Sequence, residues 1–421
     1  MKYYVIGIGG TGAKCMEAFV HLCAAGVMPE GEIFGLFIDP DRTNNMLDRA
    51  IKASDSYIKC SNIKIKDVPL MRSQLTMPEP KVWTLLDDHP DLSSYFKYTD
   101  MANKRPEAAH LFDVLYTRAE RQTTLEYGFR GHPAIGAAVI TNVALSDDQP
   151  WKTFRARVAQ DISSGNDIRV FIFGSIFGGT GAAGLPTIAR VINNIFNKNN
   201  SKKGMLKVGC AMLLPYFSFG FVQKNDELVA RSENFMVNTQ AALKYYHQMK
   251  QLDIYDTMYL LGTETQSAVS VAAKGGREQN NDPHFVELYA ALAAFDFFKG
   301  SADATNRNYR MIGREQKNRI DWEDLPDDSS RSTIKDRIVT LTRFAFAYLS
   351  VYSPMFEELG QKGVSYKMPW YVDLFERNGE GLLGDDTKAS LSDLEDYCKM
   401  YLLWLANIHN SADGETVVLI N

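Results

Sequence analysis

Residues 171–190 read FIFGSIFGGTGAAGLPTIAR and carry the strongest structural signal in the chain. An apolar run enters a cluster of glycines, and small residues lead from the cluster into a helix-like pattern. A continuous apolar run is typical of a parallel strand that is buried on both faces. Because glycine has no Cβ, its backbone can approach a ligand closely and adopt positive φ. The stretch therefore predicts a buried strand, a ligand-binding loop and a helix.

The chain has two more glycine loops. One joins a predicted strand to a predicted helix, and the other leads into a predicted helix. GIGGTG follows the apolar run YYVI near the start of the chain, and GHPAIGAA lies at residues 131–138. EIFGLFIDPD, residues 32–41, reads as a second strand that ends in acids. Such strand–loop–helix–strand units build a parallel α/β sheet. We expect the N–H groups of the three loops to bind phosphate oxygens at one edge of this sheet.

Composition narrows the class of protein. The chain has 421 residues, enough for two or three domains, and a net charge of -5 with no basic block, so we expect no direct nucleic-acid partner. Five scattered cysteines lack metal-binding spacing, so we expect no metal site built from them and a reduced, cytoplasmic location. We also expect no membrane span, because no apolar run reaches about 18 residues.

The first loop departs from one standard phosphate motif and matches another. The P-loop pattern fails by one residue, because Lys14 comes one position after the place that it requires. The dinucleotide fingerprint is matched by Gly7, Gly9 and Gly12, with Asp39 at the end of the next strand. An NAD-binding oxidoreductase is therefore an alternative, but it does not explain the second cluster, GGTGAAG, at a later strand.

Together the loops resemble the tubulin/FtsZ superfamily, and most of all its divergent bacterial tubulin-like proteins. IFGGTGAAGLPTIA resembles the family's signature loop, although Phe177 replaces its first glycine and Ala182 its usual Ser or Thr. GIGGTG, FIDPD, GHPAIGAA and LLPYFSF follow in the family's order, and HFVELYAALAAFDFF resembles its buried central helix. The resemblance implies a parallel-sheet α/β fold of the tubulin/FtsZ type with GTP or GDP and Mg²⁺ as cofactors.

The same resemblance gives a domain plan. We expect residues 1–300 to form the GTP-binding domain, with a large insertion of short elements at about 42–105 and the central helix at 284–298. Residues 301–421 are expected to form a smaller C-terminal α+β domain.

The resemblance also implies roles for individual residues. The phosphate contacts are expected at Gly9, Gly10, Thr11, Gly12, Gly131, Gly136, Phe177, Gly178, Gly179, Thr180 and Gly181. Around them, Asp39 would approach the nucleotide or its Mg²⁺ through water, His132 the γ-phosphate, Glu233 the ribose, Asn281 the guanine edge and Phe285 the base. Each has a simpler alternative: a turn residue, a solvated loop residue, an acid at a helix start, a helix cap and a core residue.

Hydrolysis in this family uses acids that enter the nucleotide site of the next subunit. NRIDWEDL, residues 318–325, offers Asp321 and Asp324 for that role, and the alternative is a solvated acidic turn. We therefore predict head-to-tail self-assembly into a filament with GTPase activity at the subunit interface, together with adaptor or effector proteins. A non-hydrolysing nucleotide-binding scaffold of the same fold is the main alternative.

Overall fold

The structure is a computed structural model of the 421-residue chain. It describes residues 1–65, 67–85, 91–125, 128–129, 132–143, 147–196, 206–219, 232–248, 250–263, 266–269, 277, 280–300, 308–312, 319–320, 328–355, 385–411 and 416–417.

The helices alternate with strands through the first half of the chain and dominate its end. In chain order they are α1 (Gly9–Ala24), α2 (Asn45–Ser61), α3 (Leu92–Tyr95), α4 (Tyr98–Lys104), α5 (Pro106–Leu115), α6 (Arg118–Gln122), α7 (Pro133–Val143), α8 (Trp151–Ser163), α9 (Gly179–Phe196), α10 (Phe235–Gln248), α11 (Phe285–Lys299), α12 (Asp328–Ala347) and α13 (Asp385–Asn410). Among the helices with described residues, none is long and apolar enough to cross a membrane.

The strands are mostly short and lie between these helices. They are β1 (Lys2–Ile8), β2 (Gly31–Ile38), β3 (Lys64–Ile65), β4 (Val68–Pro69), β5 (Ser73–Thr76), β6 (Val82–Trp83), β7 (Ile168–Ser175), β8 (Leu206–Leu213), β9 (Phe217–Phe219), β10 (Thr257–Leu261), β11 (Ser267–Val269), β12 (Asn308–Ile312), β13 (Arg319–Ile320) and β14 (Thr416–Val417).

The main sheet has eight strands in the order β12-β10-β8-β7-β1-β2-β5, with β6 also paired to β2. Every pairing in it is parallel. The predicted parallel α/β fold is therefore confirmed. β7 is buried at all eight positions, as its continuous apolar run predicts, because helices cover both faces of the sheet.

The central helix α11 is apolar on nearly every side, and the structure buries it. It packs against α1 and against β8 and β10, and Phe297 and Phe298 lie 4% and 2% exposed in the same hydrophobic cluster. A helix that is hydrophobic all round is expected in a protein interior rather than at a surface. α11 therefore packs between the main sheet and α1.

The structure differs from the expected insertion at residues 42–105. Asn45–Ser61 is a 17-residue helix, and Ser73–Thr76 pairs with Gly31–Phe34 in the main sheet. The helix buries one stripe, which includes Met46, Ala50, Ala53 and Tyr57, while its other face is polar. The average polarity of this segment therefore gives no sign of the buried residues that recur along one face of the helix. Shorter elements follow at residues 92–122.

The chain beyond residue 300 contributes both to the main sheet and to its helical cover. β12 pairs with β10, while α13 packs on α2 and on α12. β13 and β14 form a separate parallel pair. Tyr397, Tyr401 and Ile408 of α13 lie in the same hydrophobic cluster as α1 and α11.

Candidate functional site

The candidate site lies where the strand order of the main sheet reverses. β1 continues to β2 on one side of the sheet, whereas β7, its neighbour on the other side, continues to β8. In open α/β sheets, ligands bind in the crevice outside the carboxyl ends of the strands at such a point. The loops that leave β1 and β7 are the two glycine loops that start α1 and α9. The structure thus brings these two predicted loops side by side.

The contact between the loops is direct at Gly9. Gly9 has φ of +70°, and a Cβ there would lie 3.3 Å from Cβ of Thr180. Ile8 precedes α1 without a side-chain cap, and the first turns of α1 and α9 contain no acidic residue. Each N-terminus therefore keeps the partial positive charge of its unpaired N–H groups. Two helix N-termini at one point form a favourable site for an anion.

Other glycines of the two loops are explained by packing within the protein. A Cβ on Gly12 would lie 2.7 Å from the carbonyl oxygen of Phe173, and one on Gly178 would lie 3.1 Å from Oγ of Ser175. A Cβ on Gly181 would collide with the Ser175 backbone. The glycines therefore bring each helix tightly against its strand. Thr11 is partly exposed and lies close to the Tyr216 hydroxyl.

The third predicted loop meets α9 from the other side. A Cβ on Gly179 would lie 2.9 Å from Cβ of Phe129, and one on Gly136 of α7 would lie 2.8 Å from Cβ of Ala183. Gly128, at φ +80°, comes within 3.8 Å of Oγ1 of Thr180 by the same measure. The Phe129 segment therefore covers Gly179, where a phosphate oxygen was expected. Gly131 itself lies outside the described residues.

Asp39 lies at the carboxyl end of β2 and is held by its neighbours. The oxygens of its carboxyl group accept hydrogen bonds from the backbone N–H of Asp41 at 3.1 Å and from Nδ2 of Asn44 at 2.9 Å. Burial raises the pKa of Asp39 to about 8, with the nearby Asp41 charge adding to the rise. Asn44 also caps α2, and its Nδ2 lies 3.3 Å from the place of a Cβ on Gly10. Asp39 is thus tied to the first glycine loop through Asn44.

Asn44 was not among the sequence-predicted residues, although a capping signal marks it. The pair of asparagines before an amphipathic helix is typical of an N-cap. The nearest atom to a Cβ on Gly10 is Cε of Met46, at 2.5 Å. Gly10 therefore makes room for the start of α2 as well as for any ligand.

Asn281 lies next to the start of α11 and is 3% exposed. Its carbonyl oxygen accepts hydrogen bonds from Nη1 and Nη2 of Arg49, both at 3.3 Å. Nε of the same arginine donates to both carboxylate oxygens of the buried Glu17 at 2.8 Å. Arg49 therefore fixes the backbone of Asn281 to α1 and α2.

A second buried charge pair links the first glycine helix to α11. Lys14 of α1 forms an ion pair with Glu287, and the two side chains are 2% and 0% exposed. Tyr216 donates to Oε1 of Glu287 at 2.5 Å, and burial keeps the pKa of its hydroxyl well above 10. In the sequence Lys14 stands out only as a misplaced P-loop lysine. No local signal identifies Glu287 as its partner.

His284 caps α11, and Phe285 is part of the core. Nδ1 of His284 accepts the N–H of Val286 at 3.2 Å, while burial holds the histidine pKa well below 6.5. The neutral ring therefore carries its proton on Nε2, which lies 2.9 Å from Oγ of Ser267. Phe285 is 5% exposed and packs 4.4 Å, centroid to centroid, from His284.

The remaining predicted residues lie around the same edge. Phe177 is 2% exposed and packs on Phe235, the first residue of α10. Glu233 is exposed in the short 3₁₀ turn just before α10. Nδ1 of His132 lies 3.3 Å from Oε1 of Glu120. Glu233 lies two residues before Phe235, which packs on Phe177 of the second glycine loop. His132 instead contacts Glu120 of α6.

The proposed catalytic acids Asp321 and Asp324 lie outside the described residues. Within the described ranges, no group of three or more His, Cys, Asp or Glu side chains is placed to hold a metal ion. Mg²⁺ that accompanies a nucleotide usually keeps waters and phosphate oxygens as most of its ligands. Asp39 is linked to the first glycine loop through Nδ2 of Asn44.

Comparison with known proteins gives a family match over part of the chain. Residues 130–313 match the model of a family described as "Tubulin like". No curated protein gives a significant match.

Solved structures similar to the chain include CetZ and FtsZ proteins. A GTPγS-bound protofilament of CetZ2 from Haloferax volcanii is 11% identical at a TM-score of 0.34, with 73% of this chain and 64% of that chain covered. An empty FtsZ dimer from M. jannaschii is 15% identical at a TM-score of 0.30, with 71% and 53% covered. CetZ from Methanosaeta thermophila is 11% identical at a TM-score of 0.27, with 62% and 46% covered. The chain thus spans less than two thirds of the length of each of these.

Proposed function

We propose that this chain is a member of the tubulin/FtsZ superfamily and that it binds GTP or GDP at the crevice between β1 and β7. The observation that carries the proposal is the approach of Gly9 to Thr180, which places two helix N-termini at one point. Backbone N–H groups of the two loops would hold the phosphates, and the Thr180 hydroxyl would add a donor. Bound Mg²⁺ would offset phosphate charge.

The remaining contacts would select the base. Asn281 offers both a donor and an acceptor in its amide, which suits the guanine edge, and Arg49 fixes its backbone. Glu233, exposed before α10, is the proposed ribose contact. These assignments come from the resemblance of the sequence to the superfamily, and the positions of the residues at the same sheet edge support them.

We further propose that the protein assembles head-to-tail and hydrolyses GTP at the subunit interface. Asp321 and Asp324 would position the attacking water in the site of the neighbouring subunit. The first turns of α1 and α9 carry no acidic residue, which is consistent with acids supplied from elsewhere. In this scheme the residues of the crevice bind and orient the nucleotide, and the acids arrive only on assembly. A repeated heterologous contact that does not close produces a filament.

Binding of a fluorescent GTP analogue tests the central proposal, with Gly9→Ala as the variant and Gly165→Ala as its matched control. Gly9 and Gly165 have φ of +70° and +80°, so both substitutions strain the backbone to a similar degree. No atom lies within 4 Å of the place that a Cβ on Gly165 would occupy, whereas Gly9 faces Thr180. We expect Gly9→Ala to weaken binding by about tenfold or more and Gly165→Ala to leave it unchanged.

Competition by unlabelled nucleotides separates the alternatives. Displacement by GTP but not by NAD⁺ supports the proposal, and preferential displacement by NAD⁺ would favour the oxidoreductase. Equal binding by both glycine variants and the wild type would place the nucleotide elsewhere. GTP binding without turnover at any protein concentration would favour the non-hydrolysing scaffold.

A further inference from the structure

A cavity of about 740 Å³ lies at the opposite edge of the main sheet from the glycine loops. It is lined by the amino ends of β1 and β7, by residues 26–30 after α1, by the end of α11 and by the start of α12. Its volume is in the range of small-molecule sites. None of the residues assigned to the nucleotide lines it, so it is a separate feature of the molecule.

The cavity combines an apolar wall with cationic groups. Tyr3 and Phe298 form part of the wall, with ring centroids 4.8 Å apart, and Val27 and Ile334 extend it. Arg169, Lys299 and Arg337 also line the cavity, and the single acid among the lining residues is Glu30. The Glu30 carboxylate lies 3.1 Å from Nη1 of Arg72, outside the lining. The lining therefore carries an excess of positive charge.

Arg169 is the strongest indication of an anionic ligand. It is 7% exposed, its Nη1 donates to the carbonyl of Phe297 at 3.0 Å, and its Nε points to Sδ of Met1 at 3.3 Å. Among the described residues, no carboxylate lies within ion-pair distance of Arg169 or Arg337. A buried charge without a full counter-charge is costly. The carbonyl near the end of α11 supplies only a partial negative charge.

We propose that this cavity binds a small amphipathic organic anion, a carboxylate with an apolar chain or ring. Arginine has five N–H donors, and the contacts of Arg169 with described residues use two of them, so a carboxylate can accept from others. Arg337, whose Nη1 donates to the carbonyl of Gly26, supplies the second guanidinium. The aromatic and aliphatic wall holds the apolar body of the ligand, whose burial adds affinity.

Calorimetric titration with octanoate, acetate and 1-octanol tests the proposal on the full chain. Octanoate has both the charge and the apolar body, whereas acetate lacks the body and 1-octanol lacks the charge. We expect octanoate to bind at least about tenfold more tightly than either. Failure of octanoate to saturate at millimolar concentration, or equal binding of 1-octanol, would overturn the proposal.

Two kinds of variant locate the site. Arg169→Met and Arg337→Gln should each weaken octanoate binding about tenfold or more, while Arg118→Gln, an exposed arginine of α6, should not. Thr333→Trp should block the cavity mouth from the exposed face of α12 without disturbing the core. Thr340→Trp on the same helix, also exposed but outside the lining, is its control. Unchanged affinity in Arg337→Gln and Thr333→Trp would overturn the assignment even if Arg169→Met failed to fold.

Discussion

Lys14 of α1 and Glu287 of α11 form an ion pair that is almost completely excluded from solvent, at 2% and 0% exposure. Lys14 comes two residues after Gly12 of the first glycine loop, and Glu287 lies in the first turn of the central helix. Their contact therefore sets the position of α11, and with it Asn281, relative to the proposed phosphate loop.

Removal of one member of this pair should be strongly destabilising. Lys14→Met or Glu287→Gln leaves a buried charge unpaired, and such losses cost about 3–5 kcal/mol in free energy of unfolding. The double variant Lys14→Met/Glu287→Leu should recover part of that loss, since it leaves no charge behind. Urea denaturation measures all three.

The exposed pair Asp48–Lys52 on α2 is the control, with side chains 53% and 67% exposed. Because solvent screens it, removal of either partner should cost about 0–1 kcal/mol. Equal losses at the two pairs, or no recovery in the double variant, would show that the buried pair is not what positions α11.

Substitutions at Asn281 and Arg49 should separate base recognition from positioning. Asn281→Ala should weaken GTP binding by about 1–3 kcal/mol, because a buried base edge loses its partner, and should bring GTP and ATP to similar affinity. Arg49→Lys should weaken both nucleotides while preserving the preference for GTP, since it acts through the Asn281 backbone. Competition titrations with both nucleotides measure this. A wild-type protein without preference for GTP would contradict the assignment of Asn281.

The stability of the protein should depend on the ionisation of Asp39. Burial raises its folded-state pKa from 3.8 to about 8, so the native state favours the protonated acid. Its contribution is therefore complete below the unfolded-state pKa and is lost as the pH rises through about 8. Relative to Asp39→Asn, the wild type should lose free energy of unfolding between pH 5 and pH 8. Urea denaturation across that range measures the difference, and Asp48→Asn at the surface of α2 is the control. Parallel curves for the wild type and Asp39→Asn would be the contrary result.

Hydrolysis should require contact between subunits. If Asp321 and Asp324 act in the next subunit, the rate of GTP hydrolysis per molecule should rise with protein concentration and show a threshold. Asp321→Ala and Asp324→Ala should lower the rate while GTP binding persists. Glu323→Ala, between them in sequence, is the control and should retain activity. Phosphate release measures the rates.

Mixing variants tests the shared site further. Gly9→Ala retains the acids and Asp324→Ala retains the nucleotide crevice, so a mixture forms some intact interfaces. Neither variant should turn over alone, and activity should return on mixing. A rate independent of concentration, with no recovery in the mixture, would assign hydrolysis to single subunits.

Local patterns in the sequence were enough to predict individual elements and the position of the loops. The apolar run within residues 167–177 predicts β7, and the all-round apolar pattern of 284–298 predicts the buried helix found at Phe285–Lys299. The two glycine clusters mark the starts of α1 and α9. These features depend on residues that are close to one another in the sequence. Hydrophobic periodicity and glycine content are therefore enough to predict them. The polar face of α2 masks its buried stripe, so the local sequence pattern does not predict this helix.

The meeting of distant residues, in contrast, followed from the tertiary structure. The adjacency of β1 and β7, which brings Gly9 to Thr180, depends on strand order rather than on any local pattern. Likewise Glu287 balances Lys14, and Arg49 joins Glu17 to the carbonyl of Asn281. A buried charge needs a counter-charge once water is excluded. The amino-acid sequence alone does not identify which residue supplies it. The strand order of the sheet and the packing of α11 against α1 decide which groups meet.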